Sequence, residues 1–188
     1  MHDKNILDKF IEDFAEIVEK HCKYIVVSGF LAIAHGRSRG TEDIDMIVEK
    51  PDYEKFKKMH ADLVKSGFEC LQSSDASVLY NDYLCKNISV RYIRKGFELP
   101  ELELKFAKDE LDALQIATRK KMPLTGLDIW FSSVEMNIAF KEELLKSDKD
   151  IKDALHLRLV YAKDINESLI NDIKKMIREM RLNRKNGK

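Results

Sequence analysis

Asp43 and Asp45 stand one residue apart inside the apolar run "DIDMIV". Side chains alternate across a strand, so the two carboxylates point to one face while Ile44 and Met46 point to the other. Like charges that close repel, and one of them would be driven to hold a proton. A divalent cation between them removes the conflict. Hard Mg²⁺ (or Mn²⁺) takes a few carboxylate oxygens together with waters and substrate phosphates, and such ions clamp an in-line phosphoryl displacement. A D-x-D pair by itself is equally the solvated edge of a strand, so the upstream residues matter. Ser28 and Gly29 close the β-branched run "YIVV" and precede the helix formers "FLAIA". At such a turn the free backbone N–H groups and the helix dipole favour an anion such as a triphosphate. His35, Arg37 and Arg39 follow, within reach of phosphate oxygens on this reading. Anion-binding turn, helix, basic loop and metal carboxylates on the next strand form an order more specific than any of its parts.

The elements that must hold these residues can be read from periodicity. Ile6, Leu7, Phe10, Ile11, Phe14, Ile17 and Val18 recur at helical spacing and predict an amphipathic first helix. Residues 24–28 predict a strand, 30–36 a short helix ending at Gly36, and 44–48 a second strand. Pro51 opens a further helix that ends at Gly67. Strand-like pieces are expected at 78–80 and 88–93, with a weak helix signal near 108–113. From Ser132 onward the pattern is helical. Ser132 with Glu135 has the form of a capping box, Asp148 precedes a second helix, and Asp164 with Glu167 suggests the cap of a last one whose Ile165, Leu169, Ile173, Ile177 and Met180 form a stripe. These signals imply an α/β core over residues 1–129 and a C-terminal helical segment over 130–188, packed on the core as one unit.

The chain has 188 residues, 33 Lys plus Arg and 33 Asp plus Glu. That length buries a sizeable core without staples, and a net charge of zero gives no global pull towards nucleic acid or anionic membrane. Cys22, Cys70 and Cys85 are odd in number and widely spaced, which argues against a disulfide framework or zinc ribbon and fits a reducing cytoplasm. No apolar stretch approaches the roughly 20 residues of a spanning helix, and the charged N-terminus is unlike a signal peptide.

"SGFLAIAHGRSRGTEDIDMIV" resembles the signature of the nucleotidyltransferase superfamily. It is most similar to the AbiEii-type and related toxin–antitoxin nucleotidyltransferases at Ser28, Gly29, Ala32, His35, Gly36, Arg39, Thr41, Asp43, Ile44 and Asp45. "MNIAFKEELLKSDKDIKDALHL" resembles the later part of that group at Lys141, Asp150 and Asp153. The resemblance implies an α/β fold with a mixed sheet and Mg²⁺-dependent transfer of a nucleoside monophosphate from an NTP. By carry-over, Asp43 and Asp45 hold the metal. Ser28, Gly29, Arg39, Thr41 and Lys141 contact the nucleotide.

The family's third carboxylate normally comes from a later strand. The strand expected in that place, "NISVRYI", offers Ser89 and Arg91 and no acid. Asp82 before it is the first substitute and Glu98 after it the second. Two functions stay open: an enzyme modifying a protein, RNA or small-molecule hydroxyl, and a catalytically degenerate module acting as a binding, antitoxin or regulatory partner. The C-terminal stripe is a candidate surface for a protein partner or a second copy of the chain, and the basic tail "MRLNRKNGK" for RNA.

Overall fold

The computed structural model describes residues 5–27, 29–37 and 43–186, with side chains through 182. Helix α1 (Ile6–Glu19) starts at a capping box in which Asn5 and Asp8 satisfy each other's backbone N–H, and it buries Phe10, Phe14 and Val18. Strand β1 (Tyr24–Val27), helix α2 (Gly29–Ala34) and strand β2 (Asp43–Val48) follow. Helix α3 (Tyr53–Lys65) is capped by Asp52, and Gly67 takes the positive φ of 86° that reverses the chain into β3 (Phe68–Cys70).

After α4 (Ala76–Val78) and a π-helical turn (Leu79–Tyr83) come β4 (Val90–Arg94), β5 (Glu101–Phe106) and α5 (Glu110–Ala117). Short strands β6 (Lys120–Lys121) and β7 (Trp130–Phe131) lead to α6 (Val134–Phe140), a second π-helical turn (Lys141–Leu145), α7 (Asp148–Val160) and α8 (Glu167–Asn186).

Among the described residues seven strands form one mixed sheet in the order β3-β4-β5-β2-β1-β7-β6. Strand β2 runs antiparallel to β1 and parallel to β5, and β1 is parallel to β7. Alternation divides the sheet into two faces. Ile44, Met46, Val48, Leu102, Leu104 and Phe106 are buried on one, where Phe56 of α3 meets Phe106 edge-on at 5.9 Å. On the other face β1 and β2 present Ile25 and Ile47, which pack against Ile116 of α5. The mixed α/β architecture with C-terminal helices is the one expected.

Several local expectations differ. Residues 78–80 are helical because Asp75 caps the turn, accepting from Ser77 N–H at 2.7 Å, and Leu79 then enters the core. The cap of α6 is Ser133, whose Oγ accepts from Met136 N–H, while Ser132 donates its hydroxyl to Gln115 Oε1 at 2.9 Å. Ser147 caps α7 ahead of Asp148, and Asn166 accepts from Leu169 N–H at the start of α8 in place of Asp164. The sheet takes in Trp130 and Phe131, so its last strand lies just beyond the expected boundary at residue 129. No helix among the described residues is long and apolar enough to cross a membrane.

Candidate active site

The antiparallel register of β1 and β2 sets Val27 opposite Asp45. The half-buried Asp45 therefore lies at the end of β1, beside the turn at which α2 begins with the buried Gly29. Asp43, two residues back on the same face, is exposed. The expected carboxylate pair thus lies on the strand next to the one that leads into α2. Ser28, Arg39 and Thr41 lie outside the described residues.

Strand β5 supplies what the sequence reading lacked. Its parallel pairing with β2 sets Glu101 opposite Asp43 and Glu103 opposite Asp45. Partners in register share a face on strands about 4.8 Å apart, so four carboxylates line one side of the sheet. The strand expected to carry the third acid is β4, which lies one place further out, and its Arg91 pairs with Glu103. The Arg91 guanidinium sits 3.7 Å from Glu101 and 3.9 Å from Glu103.

This displaces Asp82, the first substitute acid. Asp82 belongs to the turn whose Tyr80 packs on Phe106 at 5.5 Å, on the opposite face of the sheet, and it pairs with Lys86 at 2.9 Å. Glu98 is exposed on the connection from β4 to β5. The signal for β5 was present in the sequence as the strict alternation Glu101-Leu102-Glu103-Leu104.

Lys141, expected to contact the nucleotide, is held by two acids of α7. The residue is 1% exposed, and its ammonium bridges Asp153 at 2.9 Å and Asp150 at 3.4 Å. Asp153 is fully buried and also pairs with Arg37, which donates to Lys149 O at 3.3 Å. Arg37 is thereby committed to α7, and the expected phosphate role of His35 is displaced as well. His35 Nδ1 is 2.7 Å from Leu31 O and Nε2 is 2.5 Å from Tyr161 Oη, so both ring nitrogens are engaged. Burial lowers the His35 pKa and favours the neutral ring.

Asp45 and Lys141 both line a cavity of about 300 Å³. Lys105 and Lys108 add positive charge to its wall, and Phe140, Leu144 and Leu145 add apolar surface. Asp112 lines it too. Burial raises the Asp112 pKa, against the opposing effect of Lys108 N–H, which donates to it at 3.1 Å. Lys105, Lys108 and Asp112 carried no motif that sequence reading could recognise.

No group of three or more His, Cys, Asp or Glu side chains that could hold a metal ion forms among the described residues. An all-protein cage is therefore not the arrangement here. Two aspartates on one strand face, beside a cavity walled by lysines, fit a Mg²⁺ ion that takes one or two carboxylates and completes its shell with waters and phosphates.

The mixed sheet, the acid-bearing β2 beside the β1–α2 turn and the C-terminal helices define a nucleotidyltransferase-like fold. The chain is similar to an antigenic nucleotidyltransferase-like protein from Paracoccidioides brasiliensis, with 18% identity, 92% of this chain and 88% of that chain covered, and a TM-score of 0.54. It is similar also to ANT(2'')-Ia in complex with adenylyl-2''-tobramycin, with 16% identity, coverage of 94% and 99%, and a TM-score of 0.54. A solution structure of the antibiotic-resistance factor ANT(2'')-Ia aligns at 13% identity over 96% of this chain and 97% of that one, again at a TM-score of 0.54. No family model matches the chain, and no curated protein does. At these identities the likeness is one of fold.

Proposed function

We propose that this protein is a metal-dependent nucleotidyltransferase, moving a nucleoside monophosphate from an NTP to a hydroxyl of a protein, RNA or small molecule. The observation that carries this reading is the register Asp43–Glu101 and Asp45–Glu103 beside the β1–α2 turn. Asp43 and Asp45 would hold Mg²⁺ or Mn²⁺, which when bound neutralises triphosphate charge and favours departure of pyrophosphate. The N–H groups at the start of α2, from Gly29 on, receive phosphate oxygens, and Lys141 lines the cavity that Asp45 also lines.

Glu103 is the candidate third acid. It pairs in register with the half-buried Asp45, and can orient the acceptor hydroxyl and take its proton. The motif likeness at residues 28–45 and 141–153 supports an AbiEii-type relationship over an aminoglycoside-modifying one. A wall carrying Lys105, Lys108 and Lys141 also suits a polyamine acceptor such as tobramycin poorly.

One observation favours the second reading, a nucleotide-binding module without catalysis. Arg91 lies within 4 Å of both Glu101 and Glu103, so the carboxylates that would serve the acceptor are already engaged by a guanidinium of the same sheet.

Transfer of label from α-³²P NTPs to cell extract with Mg²⁺ separates the two. On the enzyme reading Glu103→Gln slows transfer about 10²- to 10⁴-fold and keeps metal–NTP binding, Asp82→Asn changes neither, and the Asp43→Asn, Asp45→Asn double variant loses both. Tight metal–NTP binding with no labelled product from the wild type supports the module. Undiminished transfer by Glu103→Gln removes Glu103 from the mechanism.

A further inference from the structure

Asn137 is 5% exposed and lines the cavity that holds Asp45 and Lys141. Both hydrogens of its amide are spent on the backbone, Nδ2 donating to Ser132 O and to Ser133 O at 2.9 Å each. That pairing fixes the orientation of the amide, because Oδ1 facing either carbonyl would set acceptor against acceptor. Ser132 is itself held by its hydroxyl to Gln115, and Gln115 donates through Nε2 to Asp112 Oδ1 at 3.3 Å. The network around Asn137 is thus oriented at each step. Among the described residues no donor meets Asn137 Oδ1. That carbonyl oxygen is open to the cavity it borders, so it can accept from a donor bound there.

Its position says what that donor belongs to. Ser132 N–H donates to Val26 O at 3.3 Å, which puts the start of α6 beside the end of β1, and Val27 there faces Asp45 in the register. Asn137 therefore serves the part of the cavity next to the carboxylates, whereas Leu144 and Leu145 lie up to two turns further along the chain. A phosphate oxygen cannot satisfy Oδ1, since both are acceptors. The first donors beyond the α-phosphate of a nucleotide are its ribose hydroxyls.

We infer that Asn137 is a specificity-determining residue whose Oδ1 accepts a hydrogen bond from a ribose hydroxyl of the bound NTP, so that the site selects ribonucleotides over deoxyribonucleotides. The inference rests on the nucleotide reading proposed above. Titration calorimetry with Mg²⁺ identifies the tightest binder among ATP, GTP, CTP and UTP, which is then compared with its 2'-deoxy and 3'-deoxy forms. The wild type should bind one deoxy form about 2- to 12-fold more weakly, the range set by the loss of one hydrogen bond. In Asn137→Ala the ribo and deoxy forms should bind equally.

Because the wild-type series needs no variant, the test stands even if Asn137→Ala unfolds. Equal wild-type affinity for all three forms overturns the inference, as does a discrimination that survives in Asn137→Ala. Loss of discrimination between bases instead of sugars in the variant would assign Oδ1 to a base amine and overturn it too. If the wild type binds no NTP, the nucleotide reading itself fails and this inference falls with it.

Discussion

Replacing Asp153 with alanine should destabilise the protein far more than removing any surface acid. Asp153 is fully buried and pairs with two cations, Lys141 from the turn after α6 and Arg37 from the end of α2. Removing one partner of a buried ion pair costs about 3–5 kcal/mol, chiefly because the remaining charge stays desolvated. Here the lower end of that range applies. Lys141 keeps Asp150 at 3.4 Å, and the Arg37 side chain is 18% exposed and can turn to water. About 3 kcal/mol in a chain of this length corresponds to a fall in Tm of about 6–12 °C.

Asp82→Ala is the control. Asp82 and Lys86 form a pair with both side chains more than half exposed, and such pairs are worth about 0–1 kcal/mol. Thermal melts followed by circular dichroism compare the variants. If Asp153→Ala melts within about 2 °C of wild type, as the control should, then the network does not join α2 to α7 and the burial argument is wrong.

Stability should also depend on pH through two histidines. Burial lowers the pKa of His35 and of His60 below their ordinary 6.5. The unfolded chain therefore binds more protons than the folded one below that pH, so stability is complete above about 6.5 and falls as the solution is acidified through it. Melts from about pH 7.5 to about pH 5.5 should show this slope, and His60→Gln should reduce it; an unchanged slope would remove His60 as a contributor. Cys22 should be inert in the native state, because burial, aided by Glu49, pushes its thiol up to about 12. Alkylation at about pH 8 should be slow in buffer and fast in urea, and equal rates would contradict the packing of Cys22 against α3.

What the sequence made legible was local. The period-two spacing of Asp43 and Asp45 put both on one face, and the small residues before "FLAIA" marked the turn that the structure sets beside them. Cap positions slipped by one or two residues at Ser132, Asp148 and Asp164, since Ser, Asn and Asp neighbours compete for the same N–H groups and only tertiary contacts choose between them. Ser132 shows the choice. Its hydroxyl is needed by Gln115, so Ser133 takes the cap.

The third carboxylate was hidden for a different reason. Glu and Leu are good helix formers, so "ELELKF" announces a strand only through its alternation, and its value lies in which strand it joins. The chain order suggests that β4, the first well-marked strand after the connection from α3, should pair with β2. Instead β5 inserts between them, parallel to β2 and antiparallel to β4. That insertion sets Glu103 between Asp45 on one side and Arg91 on the other. Arg91, which looked like the failure of the expected acid, is thereby the neighbour of the real candidate. The same placement makes the Arg91 guanidinium the residue to change next. In Arg91→Gln the ion pair with Glu103 is removed, so transfer limited by a Glu103 held on the guanidinium should rise while NTP affinity stays constant. If transfer falls with Arg91→Gln, the guanidinium serves the reaction directly and Glu103 is not held back by it.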